Sequence, residues 1–259
     1  MDPNQIISAS VDAYNMLDPE SKHALAYPSA KTLGLAIDGL VTLACYPLLK
    51  ARIFTQGRLS QYQKEVSSKI DQIPEKNRDR SKLGLAIKAI EESRYQLNED
   101  DVRQMYVNLI SSTVDNRKNN VVTPRLATVV AQFGPGEAEF LKTIYQQKGQ
   151  QMPLGYLIAE NRKNVHERKV TSYLCSSDNG SYLGDKDESI DILNSLGIIT
   201  VRDNVWLSAP IYVSRYQTIE SVLKNSTNEP LGKNESLKLN KCYLKLNVFG
   251  RSLCHCIFE

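Results

Sequence analysis

The sequence predicts a mainly α protein, with a helical N-terminal domain over residues 1–149 and a small α+β, winged-helix-like C-terminal domain over residues 150–259. Three observations support this fold class. In the first half of the chain, apolar residues recur at the helical spacing of about 3.6 residues. After residue 150 the sequence becomes richer in glycine and serine and contains strand-like segments. A composition of 41% hydrophobic and 24% charged residues is ordinary for a globular protein.

Three of the predicted helices in the first half follow directly from this spacing. The first is short and carries Ile7, Val11 and Tyr14. A longer helix and one that follows a charged break around Pro74 have clear apolar stripes. These stripes consist of Leu59, Tyr62, Val66, Ile70 and Ile73 in the longer helix, and of Leu83, Ile87 and Ile90 in the next one.

An apolar segment from Thr32 to Leu49 contains a single charged residue, Asp38. Its eighteen residues are at the lower limit of what can cross a bilayer, and an acid near the middle of a span costs about 2.5–3.5 kcal/mol on insertion scales. We therefore expect a helix packed against other helices, with membrane contact through Thr32–Leu49 as an alternative. The expected packed stripe is Leu33, Ala36, Ile37, Leu40, Val41, Ala44 and Leu48, with Asp38, Thr42 and Cys45 on the other side.

The clearest helix signal follows Asn98, which is a good N-cap residue. The acids at positions 99–101 place negative charge at the positive end of the helix dipole. Helix initiation accounts for this acid cluster, so it does not predict a metal site. The apolar face of the helix is Val102, Met105, Tyr106, Leu109 and Ile110.

Two apolar helical segments between Thr123 and Tyr145 are separated by Gly-Pro-Gly. A phosphate-binding loop would need several backbone N–H groups, usually with a lysine and a hydroxyl at fixed spacing. Here Pro135 removes one donor and Glu137 would repel an anion. We predict a corner between packed helices, with Thr123 as an N-cap and Gly134 as a left-handed residue that ends the first helix.

The C-terminal half reads as helix, strand, turn, strand and helix. One segment predicts a helix that ends at Gly197, followed by two strands that turn at Asp203 and Asn204. The sequence from Cys242 to the end of the chain predicts a strand, a turn and a short apolar helix. This order suggests the winged-helix-like module.

The net charge of +3 is too small to imply a nucleic-acid partner. Its distribution is uneven, because nine Lys or Arg residues against four acids lie between Lys50 and Lys82. We interpret this stretch as a solvated helix face, with an anion-binding strip as the alternative.

The five cysteines are an odd and dispersed set, which favours reduced thiols over a disulfide framework. The first residues lack the pattern of a signal peptide, so we expect a cytoplasmic protein. Cys254, His255 and Cys256 could supply soft metal ligands, but no second Cys/His pair has the spacing of a zinc site. We therefore predict buried thiols there, and neither a metal nor a cofactor.

Asn161 and His166 are the catalytic candidates. Asn161 lies five residues before His166, and the segment resembles bacterial defence ribonucleases, which carry an Arg or Asn shortly before a catalytic histidine. A general base needs a substrate proton within reach, which sequence spacing does not show. We prefer a solvated basic patch, and a nuclease-like toxin is an alternative.

The common hydrolase, nucleotide-binding and zinc-protease motifs do not occur, so we lean against an enzyme.

A winged-helix-like domain also raises the alternative of a DNA-binding regulator. A recognition helix would carry clustered Arg, Lys, Asn or Gln residues. In the two candidate segments, residues 155–169 and 214–225, the bases are mixed with acids, and the same fold can serve as a protein-contact module. The bases are Arg162, Lys163, Arg168, Lys169, Arg215 and Lys224.

The order of segments resembles the Abi-alpha family of bacterial abortive-infection proteins. The segments that carry the resemblance extend from about Ser29 to Cys256 and are "LGLAIDGL", "IPEKNR", "EDDVRQMYVNLISSTVD", "VVTPRLATVVAQFGPGEAEFLKTI", "LNSLGIITV" and "YLKLNVFGRSLCHC". The chain departs from the family pattern at Phe133, where leucine is usual, and at Asn247, where threonine is usual. The asparagine predicts turn capping rather than hydroxyl chemistry.

The resemblance implies phage defence, in which an infected cell sacrifices itself to limit phage spread, and it supplies no established catalytic residues. We therefore predict a defence component that acts through contacts with a protein partner or with other copies of itself. The alternatives are the nuclease-like toxin, the membrane-acting effector and the DNA-binding regulator.

Overall fold

A computed structural model describes residues 11–161, 166–203, 205–232 and 234–259, with only the backbone of His166. The described chain is mainly helical and contains a small antiparallel sheet. It divides into two compact units. The helical unit comprises the described residues up to Ala138 together with Ser252–Glu259, and the sheet unit is Glu139–Arg251. The domain boundary at residues 149 and 150 stays a prediction.

The helical unit is built from α1 (Pro19–Ala26), α2 (Leu33–Lys50), α3 (Gln56–Asp71), α4 (Leu83–Ser93), α5 (Asp100–Thr113), α6 (Pro124–Val130) and the start of α7 (Pro135–Gln146). Residues 11–16 are also helical. The five apolar residues of the stripe predicted for α3 are all buried, although the last of them, Ile73, lies two residues after the end of the helix. Tyr62 lies within that stripe, and its hydroxyl donates to Ser93 Oγ of α4 at 2.7 Å.

Helix α5 packs against α3, α4 and α6. Its predicted apolar face is confirmed, because all five residues of that face are buried. The predicted N-cap is wrong by one residue. Glu99 occupies that position, and its carbonyl oxygen accepts the backbone N–H of Arg103. The acid Asp100 in the first turn forms ion pairs with Arg58 and Arg103.

The Gly-Pro-Gly break is a corner between α6 and α7, as predicted, but it is built differently. Gly134 does not have a positive φ, and it directly precedes α7, where Pro135 is the first helical residue. The Glu137 carboxylate accepts the Gly134 N–H at 2.9 Å, which is one half of a capping box. Thr123 is the N-cap of α6, although its hydroxyl makes no capping bond. A carboxylate therefore occupies a donor that a phosphate would need.

The sheet unit contains β1 (Gln151–Asn161), β2 (His166–Lys169), β3 (Leu174–Ser176), β4 (Tyr182–Leu183), α8 (Asp187–Ser195), β5 (Ile199–Arg202), α9 (Pro210–Ser226) and β6 (Glu235–Leu246), and it ends within α10 (Val248–Phe258). The strand order is β4-β3-β1-β6-β5, and β2 also pairs with β1. The longest pairing joins β1 to β6, from Gln151 opposite Lys245 to Asn161 opposite Glu235.

Two predictions for this unit are wrong. Of the two strands expected to turn at Asp203 and Asn204, only the first forms: it is β5, and it pairs with β6, while residues 205–208 are not in a strand. The candidate recognition segment at residues 155–169 contributes to the β1–β2 pair rather than to a helix. The strand β6 followed by the apolar helix α10 is confirmed. The winged-helix-like arrangement stays a prediction.

The core of the sheet unit lies where α9 covers β1 and β6. Tyr216 and Ile219 of α9 pack with Leu157 of β1 and Leu239 of β6. Gly155 permits this close contact, because a Cβ atom there would lie 3.0 Å from side-chain atoms of Ile219 and Leu239 and would require them to shift. The hydroxyl of Tyr216 donates to the Cys242 carbonyl at 2.6 Å, which satisfies this buried polar group.

The two turns predicted near α8 and α10 are confirmed. Gly197 follows α8 with φ of 71°, the left-handed conformation that ends many helices. Asn247 precedes α10, and its Oδ1 accepts the Gly250 N–H at 2.8 Å. The asparagine therefore caps the helix, as the sequence indicates.

Candidate functional site

The apolar helix α2 is less buried than its sequence predicts. Leu40 and Ala44 belong to the predicted packed stripe but are only half-buried. Cys45, predicted on the other side of the helix, is fully buried. The five residues of the stripe that are buried as predicted are Leu33, Ala36, Ile37, Val41 and Leu48. The packed side of α2 is thus rotated relative to the expected one, and part of the stripe stays open.

An apolar groove of about 260 Å³ lies between α2 and α4. The α2 wall consists of Leu40, Leu43, Ala44 and Pro47. The α4 wall consists of Ile87, Ile90, Glu91 and the following Arg94. We call this feature the α2–α4 groove. Ala44 and Pro47 are the shortest side chains of the α2 wall.

Arg94 gives the α2–α4 groove an unused hydrogen-bond donor. Its Nε is buried and has no hydrogen-bond partner among the described residues. The guanidinium carbon lies 4.8 Å from the ring centre of Tyr95, which is 65% exposed. A buried donor without an acceptor costs about 1–3 kcal/mol.

The opposite, polar side of α2 is held by α3. The Ser67 hydroxyl donates to Asp38 Oδ1 at 2.5 Å, and Gln63 Nε2 donates to Thr42 Oγ1 at 2.8 Å. Burial raises the pKa of the Asp38 carboxyl to about 6, and the nearby Asp71 carboxylate adds to this shift. These contacts fix the rotation of α2 and therefore decide which apolar residues face the groove.

The catalytic candidates Asn161 and His166 are brought together by the fold. They are opposite each other in the antiparallel β1–β2 pair, next to the pair of Glu160 and Glu167. The side chain of His166 lies outside the described residues. A catalytic role for either residue stays a prediction.

The cations proposed to contact DNA are already paired within the sheet unit. Arg168 contacts Glu229 at 2.9 Å and Lys169 contacts Asp187 at 3.6 Å. On α9, the partners are Arg215 with Asp178 at 2.8 Å and Lys224 with Glu220 at 2.6 Å. Arg162 and Lys163 lie outside the described residues. A DNA phosphate would have to compete with these carboxylates.

The cysteines are buried thiols in the described structure, and none forms a disulfide. Burial raises the pKa of the Cys254 thiol well above its usual range, and that of Cys256 to about 11. Within the described part of the chain, no group of three or more His, Cys, Asp or Glu side chains could hold a metal ion.

Helix α2 also passes the length and composition test for a membrane span. It is the one helix among the described residues that does so, and 39% of its residues are buried in the structure. Core helices of soluble proteins pass the same test.

Comparison with known families identifies the family to which this chain belongs. Residues 55–257, more than half of the chain, match the family model described as abortive infection alpha. The chain belongs to the abortive infection alpha family. This family context is phage defence, which confirms the resemblance inferred from the sequence. The match begins after α2, so the abortive infection alpha segment contains the α4 wall of the groove but not the α2 wall.

No curated protein matches the chain. Among solved structures, the chain is similar to an uncharacterized protein from the hydrocarbon-degrading marine bacterium Alcanivorax borkumensis SK2. The identity is 14%, the alignment covers 56% of this chain and 96% of the other, and the TM-score is 0.28. That score is too low to support an argument about fold or function.

The sequence predicts the helix α2 but not the groove between α2 and α4. The signal available was the presence of Ala44 and Pro47 among larger apolar residues, next to a helix whose Ile87 is also apolar. Periodicity shows which residues share a helix face, but it does not show which neighbouring helix covers that face. The rotation of α2 depends on its polar contacts with α3, which are long-range.

Proposed function

We propose that this abortive-infection protein acts through protein contacts, and that the α2–α4 groove receives an apolar segment of a partner protein. The observation that carries the proposal is the low burial of α2. It is apolar enough to cross a membrane, yet its surface beside α4 stays open. Contiguous apolar surface of this kind often marks an interaction site.

The chemistry of the groove supports a specific contact. Leu40, Leu43 and Ile87 would each gain hydrophobic free energy when covered, and full burial of such a side chain is worth about 1.5–3 kcal/mol. Arg94 lines the same groove. A few well-packed apolar residues next to an arginine are typical of the residues that dominate binding energy at interfaces. The same proposal places the protein in the cytoplasm, where its free thiols are stable.

We further propose the sheet unit as a winged-helix-like module for protein contact. The four described cations in its candidate DNA-binding segments are paired with carboxylates. Those ion pairs favour contact with a protein over contact with DNA, since a DNA-binding surface gains affinity by neutralising phosphates with available cations.

Site-specific photocrosslinking tests the groove proposal. A photoreactive residue replaces Leu43, which lines the groove, or Leu35, which lies on the same helix and does not line it. We expect a protein adduct from position 43 in infected cells and none from position 35. An adduct of twice the chain mass would identify the partner as a second copy. Equal adducts at both positions, or none at position 43, would overturn the proposal.

Membrane contact through α2 is the second candidate, and the length of α2 favours it. Flotation with phosphatidylethanolamine–phosphatidylglycerol vesicles separates it from the first. We expect the purified protein to stay in the dense fraction. If the protein floats, and a charge at Ile87 prevents flotation, the groove serves a bilayer rather than a protein partner.

A further inference from the structure

A second, polar pocket lies in the helical unit, away from the residues of the α2–α4 groove. It encloses about 170 Å³ near the ends of α3 and α5. Three cations line it, Lys69, Arg117 and Lys118, together with two carboxylates, Asp115 and Glu259. We call this feature the lysine pocket. Its volume is below the roughly 300–1,000 Å³ of pockets that hold drug-sized ligands, so it suits a small group.

Lys118 is held in position by the protein. Its Nζ donates to Ser112 Oγ at 3.2 Å and to the His255 carbonyl at 3.0 Å. Since an ammonium group has three donors, one remains for a ligand. Burial lowers the pKa of Lys118; the charges of Cys256, Glu259 and Asp115 oppose this shift, and the charge of Lys69 adds a smaller contribution to it. The two ammonium groups therefore repel each other across the pocket.

Arg117 is anchored beside the two lysines. Its Nε donates to both carboxylate oxygens of Asp115, at 2.8 and 3.0 Å, and another guanidinium nitrogen donates to the same carboxylate at 2.5 Å. Asp115 is 3% exposed, so the carboxylate is fixed and largely neutralised by this contact. This pairing leaves the two lysines as the main source of positive potential in the pocket.

Lys118 satisfies a carbonyl in the last turn of α10, but Lys69 is not needed to satisfy a helix end. At the end of α3, Arg78 donates to the carbonyls of Asp71 and Ile73. At the end of α5, the Ser111 carbonyl accepts the Val114 N–H. Lys69 forms no hydrogen bond or ion pair with any residue that the structure describes. No described side chain therefore pairs with the positive charge of Lys69.

We propose that the lysine pocket binds a phosphate-type oxyanion, held between the ammonium groups of Lys69 and Lys118. The anion would remove the repulsion between the two lysines and take the donors they leave unused. The carboxylates of Asp115 and Glu259 limit the charge that the pocket accepts, which favours one compact group over a polyphosphate. The ligand is either free phosphate or the terminal phosphate of a larger molecule.

Calorimetric titration of the full-length protein tests this site, with sodium phosphate and phosphoserine as probes and sodium chloride of equal ionic strength as the reference. We expect saturable binding of phosphate. Binding of phosphoserine as well would show that the pocket is open to a terminal phosphate group, and binding of phosphate alone would identify a site for the free ion. Absence of binding by both probes would overturn the proposal.

Matched substitutions on α3 locate the binding. Lys69→Met removes the surplus cation, and Lys64→Met removes an exposed lysine of the same helix that does not line the pocket. We expect Lys69→Met to weaken phosphate binding at least about tenfold, and Lys64→Met to leave it unchanged. Because Lys69 forms no hydrogen bond or ion pair with a described residue and is repelled by Lys118, its variant should unfold at or slightly above the wild-type temperature in chloride. Equal affinity in the two variants would contradict the assignment.

Discussion

Helices α2 and α5 lie in the same unit, but the less apolar of the two, α5, is the more buried. Ten of the fourteen residues of α5 are buried, whereas only seven of the eighteen residues of α2 are buried. Yet α2 is the more apolar helix, with Asp38 and Lys50 as its only charged residues. Position in the bundle, rather than hydrophobicity, therefore sets burial here. The apolar surface of α2 exceeds what the described fold covers.

The two helices also differ in whether a charged side chain on the helix has a counter-ion. Arg103 of α5 is 3% exposed and is neutralised by Glu65 at 3.0 Å and by Asp100 at 2.5 Å. Asp38 of α2 is half-buried, and among the described residues it has a hydroxyl donor and no cation as its hydrogen-bonding partner. A buried charge that lacks a counter-ion is destabilising. The charged side chain of α5 is therefore compensated within the fold. The packing of α2, in contrast, does not require its open apolar surface or the charge of Asp38.

We expect the largest difference in the free energy of unfolding between two leucine-to-alanine variants, one on each helix. Leu109→Ala on α5 removes a side chain that is 1% exposed, so we expect a loss of about 2–5 kcal/mol in the free energy of unfolding. Leu43→Ala on α2 removes a half-buried side chain that lines the groove, and we expect a loss of about 1 kcal/mol or less. Urea denaturation measures both. Equal losses would show that Leu43 is part of the core.

A smaller effect should depend on pH. Burial raises the folded-state pKa of Asp38 from 3.8 to about 6, so the folded protein holds this proton more tightly than the unfolded chain does. Its stabilising contribution is complete below about pH 4 and is lost as the pH rises through about 6. Asp38→Asn keeps an oxygen acceptor for Ser67 and removes the titration. At pH 7.5 we expect this variant to be about 1–2 kcal/mol more stable, after allowance for solvent screening.

Denaturation of both proteins at pH 4 and pH 7.5 checks the Asp38 prediction. The advantage of the variant should shrink at the lower pH, because the wild-type carboxyl is then protonated in the folded protein and partly protonated in the unfolded chain. An advantage that is the same at both pH values would show that the aspartate does not titrate between them.

The smallest expected effect is at the β1–β2 pair. If the groove carries the function, His166→Ala and Asn161→Ala should leave phage protection unchanged at normal protein levels. A plaque assay with quantified protein measures this. Loss of protection by a stably folded variant, accompanied by RNA turnover by the purified wild-type protein, would move the function from the helical unit to the sheet unit.

The helical unit was largely predictable because its signals are local. The stripes of α3 and α5 are periodic over several turns and more than two turns respectively, and the corner at Gly134 is marked by glycine and proline. Details of the caps depended on single hydrogen bonds. Asn98 and Glu99 both precede an acidic turn, and the backbone bond to Arg103 decides between them.

The sheet unit was less predictable because its main pairing is long-range. Strand β1 is a nearly continuous apolar run, a pattern that a buried helix segment can share. Its partner β6 is more than seventy residues later in the chain, so no local turn signals the pairing. The same limit applies to the α2–α4 groove and to the lysine pocket. Lys69 and Lys118 come together only because α3 and α5 pack side by side.

Phage challenge with one pair of matched variants tests the central claim most directly. Ile87 and Leu35 are each 38% exposed, but only Ile87 lines the groove. Introducing a glutamate at either position should leave the fold intact, since neither side chain is in the core. We predict that Ile87→Glu abolishes protection at wild-type protein levels and that Leu35→Glu retains it. Full protection by Ile87→Glu, or equal loss in both variants, would contradict the account.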